Sequence, residues 1–210
     1  MTPRPRTVTD EAILQATATI IGRLGPSRFT LADVGREVAL SPATLVQRFG
    51  SKRGLMLALA RSSAAFVDDC FAQIRADHPS PREALIVAAS FMAGMVESPE
   101  SLANHLAFLQ IDLSDPEFHA LALESHLANL RGYRALIEDA IEAGELADCD
   151  AERLARTLLS LSGGSLIAWA IERRGDVRDF VRSDIEAALE PYSVAPSATR
   201  PARRASADER

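Results

Sequence analysis

The sequence predicts an all-α fold, because helical patterns recur along the chain and strand patterns do not. No segment shows sustained alternation of apolar and polar residues, and the 210 residues include only eight Phe, two Tyr and one Trp. Apolar residues instead recur three and four positions apart, behind residues that commonly cap helices. We expect nine helices, of which the first three form a small unit and the others a larger body.

Caps and breakers mark the predicted helices in order. Serine, threonine and aspartate accept hydrogen bonds from the free N–H groups of a first helical turn, and proline fits its first position. We expect the fifth helix to reach about Val96, the sixth to be short, and the last to end before Pro191. Such residues predict helices that begin directly after Thr9, Thr30, Ser41, Ser51, Ser80, Ser98, Asp115, Asp150 and Asp176.

Charge is distributed unevenly along the chain. Residues 1–53 carry a net charge of +4, whereas residues 54–190 carry −12. A phosphate backbone attracts the first segment and repels the second, so a nucleic-acid contact is expected near the N-terminus. We therefore predict an N-terminal head at residues 1–50, a helical body at 51–190 and a disordered tail at 191–210.

The composition favours a reduced, cytoplasmic setting. Cys70 and Cys149 lie far apart and lack the spacing of a metal site or a disulfide framework. The first ten residues contain no apolar run, so no signal peptide is predicted. We also find no stretch of about 18 apolar residues and expect no membrane span.

The second and third predicted helices, joined by a tight turn, have helix-turn-helix proportions. In such a unit the third helix enters the major groove of DNA, and Leu45 and Phe49 are expected to face inward. Gln47 and Arg48 can read adenine and guanine edges, and Ser41 and Thr44 can bond to phosphate. The predicted DNA contacts are Ser41, Pro42, Ala43, Thr44, Gln47, Arg48 and Lys52, the last being the only lysine in the chain.

This stretch resembles the signature of the TetR family of bacterial regulators over about residues 9–56. The resemblance implies a nine-helix homodimer with a helix-turn-helix head, and phosphate contacts by Thr44 and Lys52. It also adds Thr30, the cap of the second helix, to the predicted DNA-binding set. The matching residues are Thr30, Val34, Ser41, Thr44, Leu45, Phe49, Ser51, Lys52 and Leu55.

Three positions depart from the family pattern. Ala39 occupies the turn position where the family usually has glycine, and a positive φ there would cost alanine on the order of 1 kcal/mol. Val46 replaces an aromatic residue, often tyrosine, so one hydrogen bond to phosphate is missing. Arg48 replaces a histidine and is a stronger cation.

The body is expected to form a dimer and to bind a small ligand. Gly163 and Gly164 interrupt an apolar helix and are best understood where another helix approaches closely, so residues 151–189 are the predicted interface. An intramolecular core is the alternative. Large soft side chains with interspersed polar groups predict a pocket for an apolar or amphipathic effector. Its predicted lining is Phe91, Met95, His105, Phe108, Leu109, Asp112, Tyr133 and Trp169.

No motif predicts an enzyme, a metal site or a cofactor. His119 and His126 lack further ligands at metal-like spacing, and Ser165 lies in an apolar helix without the strand–turn–helix setting of a nucleophile. The predicted function is a sequence-specific DNA-binding transcriptional regulator, a repressor that a small ligand releases from a palindromic operator. The alternative is a helical, dimeric protein-interaction module that has lost DNA binding.

Overall fold

The computed structural model describes residues 8–194, which form nine α-helices and two short 3₁₀ helices, Phe91–Met95 and Glu190–Tyr192. Within this range the only β-type pairing is an isolated bridge between Leu146 and Ser193. The all-α prediction is therefore confirmed. The helices are α1 (Asp10–Leu24), α2 (Leu31–Glu37), α3 (Pro42–Phe49), α4 (Lys52–Asp77), α5 (Pro81–Ser90), α6 (Pro99–Ser114), α7 (Pro116–Glu142), α8 (Ala151–Glu172) and α9 (Val177–Leu189).

All nine predicted helix starts are confirmed. Each predicted cap residue accepts a hydrogen bond from a backbone amide of the first turn of its helix. Thr9, for example, accepts from the amide of Ala12 at 3.2 Å. Local cap chemistry, which needs no tertiary contact, thus sets where each helix begins.

Two predicted helix lengths are wrong. The fifth helix leaves α-helical geometry at Ser90, whose φ and ψ are −95° and 0°, and continues as the 3₁₀ helix Phe91–Met95. The sixth helix is not short but spans 16 residues. The last helix ends at Leu189, before Pro191 as predicted. The first residues of the predicted tail are nevertheless ordered, since the amide of Ala147 donates to the carbonyl of Tyr192 at 2.7 Å. The rest of the predicted tail, 195–210, lies outside the described residues.

Two hydrophobic cores stabilise the fold. The body core gathers α5, α7, α8 and α9 around Leu85, Leu158 and Ile185, none of which is exposed. The second core lies in the head, but it also contains Leu55 from α4 and Phe118 from α7. Because these body helices contribute to the head core, a displacement of α4 or α7 must disturb the packing of the head.

Helix α8 (Ala151–Glu172) is long and apolar enough to cross a membrane, with a mean hydropathy of 1.3 over its most apolar window. Small and polar residues interrupt the apolar run, so the criterion of about 18 consecutive apolar residues did not predict a candidate span here. Core helices meet the same criterion of length and composition. In this fold Leu154, Leu158 and Leu166 of α8 are buried in the body core.

Candidate nucleic-acid interface

Thr30 begins α2 with a reciprocal cap. Its hydroxyl oxygen accepts from the amide of Asp33 at 3.2 Å, while the Asp33 carboxylate accepts from the hydroxyl and the amide of Thr30 at 2.7 and 2.8 Å. The hydrogen bond from the Thr30 hydroxyl and, to a lesser extent, the one from the Thr30 amide hold the pKa of Asp33 below its usual range. The hydroxyl of Thr30, a predicted DNA contact, is thus engaged within α2.

The turn between α2 and α3 contains the position where the family pattern usually has glycine. Ala39 has a φ of +54°, the left-handed conformation that glycine adopts more easily. The amide of Leu40 closes the turn by donating to the carbonyl of Gly35 at 2.8 Å. A Cβ at Gly35 would lie 2.4 Å from the Leu40 carbonyl oxygen, so only glycine fits there. Gly35 was not predicted to be structurally important, although a glycine inside a seven-residue helix is a signal for such a close contact.

Helix α3 presents one buried face and one exposed face. Leu45 is fully buried in the head core, as predicted, and Phe49 is partly buried beside it. The Ser41 hydroxyl accepts from the amide of Thr44 at 3.1 Å and lies 2.9 Å from the Thr44 hydroxyl. The exposed side of the helix carries Pro42, Ala43, Val46, Gln47 and Arg48.

Arg48 is engaged with the first residues of the described chain. Its Nη1 donates to the carbonyl of Val8 at 2.7 Å and to the carboxylate of Asp10 at 3.2 Å. Only 26% of its side chain is exposed. These contacts place the Arg48 guanidinium beside the start of α1. The contact of Arg48 with a guanine edge stays a prediction.

Lys52 ties the start of α4 to the turn between α1 and α2. Its ammonium donates to the carbonyl of Ser27 at 3.0 Å and lies 4.3 Å from the centre of the Phe29 ring. Burial lowers the pKa of Lys52, and the charge of Asp33 opposes this shift. The predicted phosphate contact therefore also has a structural role in the head.

Two long-range links, from α4 to α7 and from α1 to α6, were not predicted. Arg53, next to Lys52, pairs with Asp115 and Glu117 at the start of α7. On the other side, the amide of Asn104 on α6 donates to the carbonyl of Gly22 on α1 at 2.8 Å. Both links join residues more than 60 positions apart, so cap patterns and helical periodicity contain no signal for them.

The eight predicted ligand-binding residues differ widely in exposure. Phe91, Met95 and Leu109 are exposed, whereas Tyr133 and Trp169 are buried in the body core. Their polar atoms are engaged there, since the Tyr133 hydroxyl donates to the carbonyl of Ala88 and the Trp169 indole N–H donates to that of Gly175. Phe108 packs edge-on against Phe118 beside the head core.

His105 and Asp112 are half-buried on α6. Burial lowers the pKa of His105, and a hydrogen bond with the backbone of Met95 opposes this shift. Desolvation raises the pKa of Asp112 to about 6. Two open concavities of the described surface lie elsewhere, at residues 150–156 and 174–184, and contain none of the eight predicted residues.

A short exposed helix behind a tight turn, in a positively charged head, defines a helix-turn-helix protein. Residues 13–59 match the family of bacterial regulatory proteins, tetR family. The chain is 31% identical over 170 residues to the HTH-type transcriptional regulator BetI of Rhizobium meliloti (strain 1021), covering 77% of this chain and 78% of that protein. The chain belongs to the TetR family and is a DNA-binding transcriptional regulator, which confirms the resemblance seen in the sequence.

Solved structures share the fold at low sequence identity. A transcriptional regulator from Saccharomonospora viridis, in complex with choline, has a TM-score of 0.70 at 21% identity, covering 89% of this chain and 98% of that one. FadR from Bacillus subtilis, in complex with stearoyl-CoA, has a TM-score of 0.60 at 16% identity, covering 84% and 96%. The nine-helix arrangement is therefore that of known TetR-type regulators.

Proposed function

We propose that this regulator is a cytoplasmic repressor, which binds a palindromic operator as a homodimer and is released by a small effector. The observation that carries the proposal is the exposed side of α3, where Ala43, Val46 and Gln47 are exposed on a head whose core includes Leu55 of α4 and Phe118 of α7. A short exposed helix on a rigid support is what the major groove accommodates.

The residues proposed to contact DNA differ in the DNA groups that they can bind. Gln47 carries an amide that can pair with an adenine edge, and Thr44 and Ser41 carry hydroxyls suited to phosphate. Pro42 and Ala43 allow close approach of the helix start to the DNA. Lys52 keeps further N–H donors beyond the one that bonds to Ser27, and these can meet a phosphate.

The proposed dimer interface lies on α8 and α9. Apart from the neighbouring residues and backbone of α8 itself, no described atom lies within 4 Å of the place that a Cβ on Gly163 or Gly164 would take, so these glycines are not explained by contacts with other helices of the chain. Ile167 and Ile171 lie on the same side of α8, and Ile171 is 76% exposed. A second copy would cover this side, and a stable pair needs more than about 1,000 Å² of buried surface.

The proposed effector is an amphipathic molecule bound among α5, α6, α7 and α8. Asp112 supplies a half-buried carboxylate, which favours a cationic group on the ligand. Exposed Leu106 and Leu109 lie near it on α6 and supply apolar surface. The choline complex of the Saccharomonospora viridis regulator supports a cationic ligand, and the stearoyl-CoA complex of FadR supports an apolar one.

Gel retardation of a DNA fragment from the regulator's own promoter region, at about 50 mM salt, tests the function. We expect a dimer by sedimentation, a retarded complex, and release of DNA by at least one cationic amphiphile of a panel that starts with choline. A dimer that retards no DNA would instead be a protein-interaction module. The observation that favours this second function is that Arg48 and Lys52 both donate hydrogen bonds to carbonyls within the chain.

A further inference from the structure

Helix α6 contributes to both hydrophobic cores. Leu102, in its first turn, is buried in the body core, whereas Phe108 and Ile111 pack against the head core. Further along the helix the side that Leu102 occupies is less covered, since Leu106 is 39% exposed and Leu113 is 70% exposed. The second half of α6 is therefore held mainly by its contacts with the head core.

A side-chain hydrogen bond also joins α6 to the end of α1. The amide nitrogen Nδ2 of the half-buried Asn104 donates to the carbonyl of Gly22 at 2.8 Å. A Cβ on Gly25, whose φ is +79°, would lie only 2.7 Å from Oδ1 of Asn104. The end of α1 is thus shaped to receive this side chain, and a residue larger than glycine at position 25 would displace it.

The acceptor of this bond is directly connected to the core of the head. Gly22 follows Ile21, which is buried in the same cluster as Leu45 of α3. At the other end of α1, Asp10 accepts a hydrogen bond from Arg48 of α3. Because protein cores are close-packed, α3 must follow a displacement of α1.

We infer that Asn104 is a positioning residue for DNA binding, whose hydrogen bond to Gly22 holds α1, and with it α3, at the angle that an operator requires. The inference rests on the proposed function and deepens it, since α6 also carries Asp112, the proposed contact of the effector. Asp112 lies about two turns beyond Asn104. A ligand that displaces α6 from there also pulls Asn104 away from Gly22, and the affinity for DNA must then fall.

Operator binding by Asn104→Leu and Asn104→Asp tests the positioning role. Leucine has nearly the shape of asparagine but no donor, so affinity for a fragment of the regulator's own promoter region should fall roughly tenfold. Aspartate has no donor at about pH 8 and regains one when it is protonated at about pH 5, so Asn104→Asp should recover affinity as pH falls. Affinities are compared with wild type at each pH, because His105 and Asp112 on α6 titrate in every variant.

Asn129 on α7 offers a matched control. It is also half-buried, and its amide donates to a backbone carbonyl at 2.8 Å, but that carbonyl belongs to Ser125 of the same helix. Asn129→Leu and Asn129→Asp should therefore keep the wild-type affinity at both pH values. Thermal melting of all four variants should remain cooperative.

Three results would overturn the inference. Wild-type affinity in Asn104→Leu would remove the bond from DNA binding, and a loss in Asn104→Asp that does not recover at low pH would assign the effect to packing. Equal losses in the Asn129 variants would make the effect unspecific. The recovery of Asn104→Asp decides independently of whether Asn104→Leu folds.

Failure of the inference is distinguishable from failure of the proposed function. In each of these three cases the wild-type protein still retards the promoter fragment, so DNA binding by the head stands. Retardation of no DNA by the wild-type protein would overturn both the inference and the function on which it rests.

Discussion

The guanidinium of Arg53 donates to both carboxylate oxygens of Asp115, at 2.9 and 2.8 Å. The hydrogen bonds from Arg53 hold the pKa of Asp115 below its usual range. Arg53 is the second residue of α4, and Asp115 caps α7 in the body. A tilt of α4 against α7 would stretch or break this ion pair.

Replacing Asp115 by Asn and Glu117 by Gln should loosen the start of α4 while α7 keeps its cap, because asparagine also caps helices. We expect a lower Tm than wild type in dilute salt and an equal Tm at about 1 M salt, where charges are screened within roughly 3 Å. Glu138→Gln, which removes an exposed pair with Arg134 inside α7, is the control and should change little. A loss of Tm that does not depend on salt would contradict this account.

Ala39→Gly should stabilise the head, because glycine adopts the φ of +54° without the clash of a Cβ. The expected gain in unfolding free energy is about 0.5–1 kcal/mol, measured by urea denaturation. Ala120→Gly is the matched control at an exposed position inside α7, where the same change should cost about 1 kcal/mol. Equal losses in both variants would show that the strain at Ala39 is negligible.

Gln47→Ala should relax the preference for one base pair in each half-site, at a cost of about 1–3 kcal/mol for the preferred base. Lys52→Ala should instead weaken binding to all sequences alike and reduce the salt slope by about one unit. It should also lower the Tm, because the bond to Ser27 is lost. Competition binding with single-base operator variants separates the two, and a uniform loss in Gln47→Ala would exclude base reading.

Val46→Tyr should strengthen DNA binding, because Val46 is 45% exposed on the outer side of α3 and cannot donate a hydrogen bond. A tyrosine hydroxyl on a phosphate should improve affinity for every sequence by up to about tenfold. Val46→Phe adds the ring without the hydroxyl and is the matched control. Equal affinities of the two variants would assign any gain to the ring.

Asp112 should make stability depend on pH. Desolvation raises its pKa to about 6 in the folded protein, above the value of 3.8 for an exposed aspartate. The folded state therefore binds a proton at Asp112 more tightly than the unfolded state does. Protonation of Asp112 stabilises the fold increasingly as pH falls from about 6 towards 4.

Asp112→Asn removes this dependence. We expect a higher Tm than wild type at pH 8, by the equivalent of less than about 1 kcal/mol since water screens the half-exposed carboxylate, and no difference near pH 4. Glu124→Gln, at an exposed carboxylate on α7, is the control. A Tm difference that is the same at both pH values would show that Asp112 is not desolvated.

The sequence by itself determined the local features of this protein. Thr9, Ser41 and Asp150 accept backbone hydrogen bonds from their own helices, and such bonds depend on residues two or three positions away. The positive φ of Ala39 was suggested only by the resemblance to a family that usually has glycine at this position. The inward side of α3 followed from the spacing of Leu45 and Phe49.

Only the tertiary structure decided which distant side chains meet. Arg48 reaches Val8 and Arg53 reaches Asp115 because of the angles at which helices pack, and periodicity gives the face of a helix but not its partner. The same limit explains why the exposure of the predicted ligand residues could not be predicted from the sequence. Large apolar residues recur both in cores and on exposed faces, so Tyr133 is buried while Leu109 is exposed, although the sequence pattern of the two is alike.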